Sequence, residues 1–375
     1  MKRLWLTVVV LGIAIVLTAF LDGNTHVDLR TLYSKPVNEW PAPEIDSGVN
    51  WQEFKSLPKP DATSYFSLME QPKVVLGKML FFDPILSGSN QISCSSCHNP
   101  QTSWGDHLTV PVGNDHLVGT RNTLSLLNVH ARASMFWDGR ATSLEEQALS
   151  PIAAHNEMAM DLTQLVPKLK AIQGYRELFA EAFGDTDFSM PEIMSALAAF
   201  QRTLTSRRSR FDEFVDGKHS VLNDDEIAGL HLFRTKARCM NCHHGQYFTD
   251  EQFHNIGLTY FERKYQDLGR YEVTGNPEDV GKFRTPSLRD VMNTNPWMHN
   301  GLFDNIIGVL NMYNSGMGMN DPKTAEERAN PMHPRVDPLM KKLDLSRKEI
   351  QQVAAFLEAI TATKYRMDRP DKLPR

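Results

Sequence analysis

A five-residue pattern, Cys-x-x-Cys-His, occurs twice: Cys94-Ser95-Ser96-Cys97-His98 and Cys239-Met240-Asn241-Cys242-His243, 145 residues apart. Together the two copies hold all four cysteines of the 375-residue chain. Two thiols at this spacing can bond to the two vinyl groups of one porphyrin while the adjacent histidine reaches its iron, which is the attachment pattern of a c-type haem. The motif alone leaves two alternatives open. Two CxxC pairs can hold zinc, and a single CxxC can be a redox pair. The histidine after each pair argues against zinc, and neither copy sits in a βαβ pattern. Two covalently bound haem c groups would use every cysteine and leave none for a disulfide.

The apolar stretches around the motifs mostly follow helical spacing, with few alternating runs, so the expected fold is mainly α. Downstream of each motif lies a similar helix. Leu197-Ala198-Ala199-Phe200 is followed by Leu204, and Val353-Ala354-Ala355-Phe356 by Ile360. Both put apolar side chains on one helical face. Two c-type cytochrome-like domains related by an internal repeat are therefore expected, at 71–212 and 213–375. Between 23 and 70 the chain is polar and carries Pro36, Pro41, Pro43, Pro58 and Pro60, which reads as a Pro-rich tether or a wrapping arm.

At the start, Lys2 and Arg3 precede eighteen uncharged residues, Leu4 to Leu21. That length is at the lower edge for a membrane span, and no A-x-A cleavage pattern follows. Residues 1–22 read as a signal anchor, with a removed signal peptide as the alternative. The positive flank stays in the cytoplasm, so the rest is expected in the periplasm, tethered to the inner membrane. With 45 acidic against 40 basic residues the formal charge is −5, which leaves no basic excess for nucleic acid. A basic redox-protein partner suits that sign.

Several ordered blocks flank the motifs. They are Leu76-Gly77-Lys78-Met79-Leu80-Phe81-Phe82-Asp83, Arg121-Asn122, Phe136-Trp137-Asp138-Gly139-Arg140, Glu145-Glu146-Gln147, Glu157-Met158, Arg284-Thr285-Pro286-Ser287-Leu288-Arg289 and Met298-His299-Asn300-Gly301. In this order, with both haem motifs, the chain from Val74 to Thr363 resembles the bacterial dihaem cytochrome c peroxidase family, including its MauG-type branch. The resemblance implies that His98 is the proximal ligand of the peroxide-reacting haem and His243 that of an electron-relay haem. It makes Glu157 the distal acid, with Gln147 and Pro151 shaping the same pocket. Trp137 would stand between the haems. Asn122, Thr294 and Pro296 match an interhaem calcium site, and hard oxygen donors suit that ion.

Two positions depart from the family's ordinary peroxidases. Aligned on Arg121-Asn122, the place of their distal histidine holds Asn114, a poor iron ligand, although His107 and His116 lie nearby and could substitute. At the place of their relay-haem methionine, nineteen residues after Thr294, stands Tyr313, as in the MauG-type branch. A phenolate oxygen favours higher oxidation states of iron than a thioether does. Met312, Met317 and Met319 are the alternative ligands. His299 is expected to hydrogen-bond near the second haem rather than ligate it, and Trp104 and Trp297 are candidate surface outlets for electrons. The resemblance thus implies reaction with hydrogen peroxide, and within it a MauG-type enzyme oxidising a protein substrate. An ordinary peroxidase fed by a small redox protein is the alternative. A non-catalytic dihaem electron-transfer cytochrome is the reading from another class.

Overall fold

The computed structural model describes residues 28–317, 321–362 and 367–375. The apolar run expected to be an anchor or signal lies outside them. Among the described residues no helix is long and apolar enough to cross a membrane.

The fold is mainly helical. Six helices frame the two motifs: α1 (Pro72–Phe82), α2 (Leu144–Ala153), α3 (Met190–Gln201), α4 (Asp224–Arg234), α5 (Ile306–Asn314) and α6 (Arg347–Ala359). Named strands among the described residues are β1 (Phe253–His254) and β2 (Phe283–Arg284), paired antiparallel with Phe253 opposite Arg284. The helix starts are written in the sequence. Proline opens α1, where its missing N–H costs nothing. Ser189 with Glu192, Asn223 with Glu226 and Ser346 with Glu349 form capping boxes at α3, α4 and α6.

The same helix crossing is built twice. α1 packs across α3, and α4 across α6, each at a glycine. A Cβ on Gly77 would lie 1.9 Å from the Ala196 carbonyl oxygen, and one on Gly229 would lie 1.9 Å from that of Gln352. The next partner is also shared, since Phe200 Cβ and Phe356 Cβ each stand 2.9 Å from the absent methyl. The repeat therefore extends beyond the two phenylalanines to a Gly-x-x-Leu-Phe pattern, Gly77 to Phe81 and Gly229 to Phe233. Leu80, Phe81, Trp104 and Phe200 lie in one apolar core; Phe211, Phe233, Phe248 and Phe356 lie in a second.

Both chain ends cross the boundaries expected from sequence. The segment assigned as a tether is a wrapping arm from Asp28 onward: Tyr33, Trp40 and Phe54 are buried in the second core. Arg234 fixes it by donating to Glu53 Oε2 at 2.9 Å and to the Pro41 carbonyl at 2.8 Å. The C-terminal tail, placed with the second half by its position in the chain, returns to the first, where Met367 joins the core. Short polar segments carry no long-range signal, but Tyr33 and Trp40 supply the apolar area that draws the arm in.

Candidate haem sites

Each motif folds as one tight turn that ends on its histidine. Cys94–Cys97 is a single helical turn closed by the His98 N–H donating to the Cys94 carbonyl at 2.9 Å; the His243 N–H does the same to Cys239 at 2.8 Å. Beyond each turn a backbone carbonyl meets the imidazole. His98 Nδ1 lies 3.1 Å from the Trp104 carbonyl oxygen, and His243 Nδ1 lies 3.0 Å from that of Phe248. A carbonyl only accepts, so Nδ1 carries the hydrogen and Nε2 is left as the ligating nitrogen. Burial pushes both imidazoles down, which keeps them neutral and able to ligate.

The four cysteines are unpaired. Burial pushes the thiols of Cys94, Cys97 and Cys239 up to about 12, so they stand protonated. Cys239, Cys242 and His243 open onto a large, mostly apolar cavity also walled by Leu310, Tyr313 and Leu357. Four guanidiniums line that wall. Arg238 pairs with Asp46 and Arg289 with Asp212. Arg284 reaches Glu251 through Nη1 at 3.2 Å, which leaves its Nη2 buried without a partner. Arg132 is pushed down to about 9, mainly by burial and then by the charge of Arg284. The unpartnered Arg284 Nη2, with Arg132 beside it, suits an anionic group, and a haem brings two propionates. The residues fit the group.

Tyr313, from α5, lines the same cavity. Burial raises its phenol, as does the proximity of Cys242 and Cys239. Met312 and Met317 do not line the cavity, and Met319 lies outside the described residues.

The first motif faces different groups. Helix α2 carries Gln147 and Pro151, and the chain then folds back on its last turn, with the Met158 N–H donating to the Pro151 carbonyl at 3.1 Å. This turn presents Glu157. Burial raises its carboxyl, opposed by Arg140, and its charge acts on both Cys94 and Cys97. The loop carrying Asn114 packs directly on it: the Asn114 N–H donates to the Glu157 carbonyl at 2.8 Å. A Cβ on Gly113 would fall 2.7 Å from Glu157 Cα, so only glycine permits the approach. His107 Nε2 is tied to the Asn293 carbonyl at 2.9 Å, and His116 points to solvent on an exposed turn.

Trp137 lies at the junction. Its indole N–H donates to the Asn122 carbonyl at 2.9 Å, and its own carbonyl accepts the Arg284 N–H at 2.8 Å. Arg121 clamps the junction, binding Asp138 from the first half and Asp267, at 2.7 Å, from the second. Asn122, Trp137, Thr294 and Pro296 all line the second cavity. His299 stacks on Phe283 at 3.6 Å, packs edge-on to Trp137 and keeps Nε2 without a protein partner. Burial lowers its imidazole to about 4, so it stands there neutral. One surface expectation is overturned: Trp104 is fully buried in the first core, because the rings of Phe81, Phe82 and Phe200 close around it. Trp297 is half-buried, lines the cavity and donates to the Val291 carbonyl at 2.9 Å.

Sequence reasoning missed His254. It lies beside Cys242 with Asp250, and its two ring nitrogens reach Asp337 at 2.6 Å and Asp250 at 2.9 Å. No motif marks it, since Asp337 is 83 residues away. Arg132 was equally silent, whereas Arg284 heads the Arg-Thr-Pro-Ser-Leu-Arg block.

Comparison with known proteins gives one answer at three levels. The sequence profile described as di-haem cytochrome c peroxidase matches residues 71–220. The methylamine utilization protein MauG of Methylorubrum extorquens is 39% identical over 313 residues, covering 82% of each chain. The cytochrome c551 peroxidase of Nitrosomonas europaea is 34% identical, covering 80% of this chain and 81% of its own. Among solved structures, a MauG-like protein associated with microbial copper homeostasis superposes with a TM-score of 0.70 at 30% identity, covering 83% of this chain and 95% of the other.

Proposed function

The chain belongs to the dihaem cytochrome c peroxidase family, to which its MauG relatives also belong, and is a haem-dependent peroxidase; from that premise we propose that it works in the MauG manner, taking two oxidising equivalents from hydrogen peroxide and using them on a protein. The observation that carries this reading is the contrast between the surroundings of the two motifs. Glu157, with Asn114 packed on its carbonyl, lies near Cys94 and Cys97 of the first, while Tyr313 lines the cavity of the second.

In this reading Cys94, Cys97, Cys239 and Cys242 form thioether bonds to two haems, and His98 and His243 bind the irons through Nε2. The haems supply the redox chemistry with peroxide. Glu157 Oε takes the proton from one peroxide oxygen and returns it to the departing one, a task suited to a carboxyl raised by burial. Gln147 and Pro151 bound the same pocket. Trp137, held by Asn122 and Arg284, offers an indole midway between the sites and divides one long transfer into two shorter ones. Tyr313 completes the second site with an oxygen donor, which favours the oxidised forms.

Asn122, Thr294 and Pro296 offer oxygens to a calcium ion beside Trp137, which water would complete. Haem attachment of this type suits an exported protein, and the run from Leu4 to Leu21 would hold the enzyme at the inner membrane.

The test is one equivalent of hydrogen peroxide added to the purified diferric protein without reductant, followed by visible, near-infrared and EPR spectra. Prompt loss of both ferric signals, with a lasting near-infrared charge-resonance band, is expected. A protein inert until one haem is reduced would instead be an ordinary, reductively activated peroxidase.

A further inference from the structure

Tyr247 and His130 form a hydrogen-bonded pair that joins the two halves of the molecule and that the chemistry above leaves unused. The Tyr247 hydroxyl lies 3.3 Å from His130 Nε2, with the rings edge-on at 85°. His130 is exposed and Tyr247 half-buried, so the pair reaches the surface. Burial lowers the His130 imidazole and raises the Tyr247 phenol. At neutral pH both groups are therefore neutral, and in the tautomer with its hydrogen on Nδ1 the imidazole accepts the phenol O–H at Nε2.

The inner end of the pair is wired to the second motif. Tyr247 precedes Phe248, whose carbonyl oxygen accepts the His243 Nδ1–H at 3.0 Å. One hydrogen bond and one peptide unit thus separate the proximal imidazole from Tyr247 Cα. The segment is braced from the cavity wall: Ser287 Oγ donates to the Tyr247 carbonyl at 2.6 Å, and Arg289 Nε donates to that of Gln246 at 2.8 Å. Tyr33 makes a similar pair with His231 Nδ1 at 3.0 Å, but it is fully buried and has no outlet.

We propose that Tyr247 is the redox-active outlet of the second haem site, the residue that gives up an electron inward and recovers one from a protein docked outside, with His130 as its proton acceptor. The inference rests on the MauG-type reading, which supplies the peroxide-oxidised haem as oxidant. The balance is simple. The phenol O–H bond breaks, its proton goes to His130 Nε2, and one electron goes to the oxidised haem held by His243, reducing it by one equivalent. A neutral tyrosyl radical and an imidazolium remain. The docked protein then returns one electron, and His130 returns the proton. A phenol stripped of an electron without its proton is a strong and costly cation; a base already in hydrogen-bond contact removes that cost.

The experiment is freeze-quench EPR of the diferric holoprotein after one equivalent of hydrogen peroxide, with no donor, for the wild type, Tyr247→Phe, His130→Gln and Tyr33→Phe. Unchanged visible spectra before peroxide establish that each variant is folded. A tyrosyl signal that grows as the haem-held equivalents decay is expected in the wild type and in Tyr33→Phe. It should be absent in Tyr247→Phe, where those equivalents last about tenfold longer or more. In His130→Gln the radical should form more slowly and lose its solvent deuterium dependence. A tyrosyl signal that survives in Tyr247→Phe with unaltered haem decay overturns the proposal while leaving the MauG-type reading intact. Ferric signals untouched by peroxide in all four proteins would end that reading, and the proposal with it.

Discussion

The two Cys-x-x-Cys-His sites use one backbone device on the histidine side and opposed chemistry on the other. His98 and His243 are both oriented by a carbonyl a few residues downstream, at 3.1 and 3.0 Å. The shells behind them share a glycine crossing and a phenylalanine, Gly77 with Phe200 and Gly229 with Phe356. Around them, the first site has a carboxyl raised by burial and a close-packed polar loop, the second a half-buried phenol in a mostly apolar wall. A duplicated scaffold thus needs few changes to divide labour. In the reading proposed here the groups that would hold a haem are kept, and the differing neighbours would decide whether it meets peroxide or stores charge.

The sharpest break of that contrast is Glu157→Gln. The reaction with peroxide should slow by about 10²- to 10⁴-fold, with haem content and spectra unchanged, because the amide cannot carry the proton. The pH profile gives a second reading. Burial raises the Glu157 pKa above its ordinary 4.5, and the group must be ionised to accept the peroxide proton. Stopped-flow rates should therefore fall as pH drops through that raised value and show a limb that Glu157→Gln lacks. An identical limb in the variant would remove Glu157 from the role.

Tyr313→Met probes the other side. A thioether favours reduced iron, so the potential of the second haem should rise. A potentiometric titration would register this, and the reductant-free loss of both ferric signals should fail. An unmoved potential would mean that Tyr313 is not a ligand.

The shared scaffold predicts parallel damage. Alanine at Gly77 or at Gly229 drives a methyl into a backbone carbonyl and should cost about 3 kcal/mol at either site. Denaturant melts of the two variants would test whether the halves are equivalent. Unequal losses would mean that the wrapping arm, whose Tyr33, Trp40 and Phe54 are buried in the second core, supports that half independently.

How much of this could be read beforehand depends on whether the signal was local. The paired motifs, the helix with Phe200 and its copy with Phe356 are short patterns set by covalent and helical spacing, and the sequence displays them directly. Gly229 was equally legible once Gly77 was compared with it, but a single glycine inside a helix has many meanings. Trp104 read as near-surface because its immediate neighbours, Thr102, Ser103 and Asp106, are polar; the burial comes from Phe81, Phe82 and Phe200, distant in sequence. The wrapping arm was open between two readings for the same reason. His254 had no signal, since both its carboxylate partners acquire meaning only through the fold.

His254 also gives the smallest and most specific contrast, because nothing equivalent was found at the first site among the described residues. Both ring nitrogens face carboxylates, an arrangement that only an imidazolium satisfies with two donors. Burial alone would lower its pKa, but the bonds to Asp250 and Asp337, with help from the Cys242 sulfur, raise it from 6.5 to about 12. The sulfur's share disappears once Cys242 is a thioether; the carboxylates remain. Asp337 leads into Leu339, Met340 and Lys341, which wall the cavity, so the ring clips that wall in place. Replacing it by glutamine should cost about 2 kcal/mol. With the folded pKa above the unfolded one, the charge contributes fully below pH 6.5 and progressively less as pH rises towards the raised folded value that the carboxylates sustain. The gap in Tm between wild type and His254→Gln should therefore be wider near about pH 6 than near about pH 9. An equal gap would mean a neutral ring, with the wall pinned by backbone alone through the Asp337 N–H that donates to the Asn255 carbonyl at 2.9 Å.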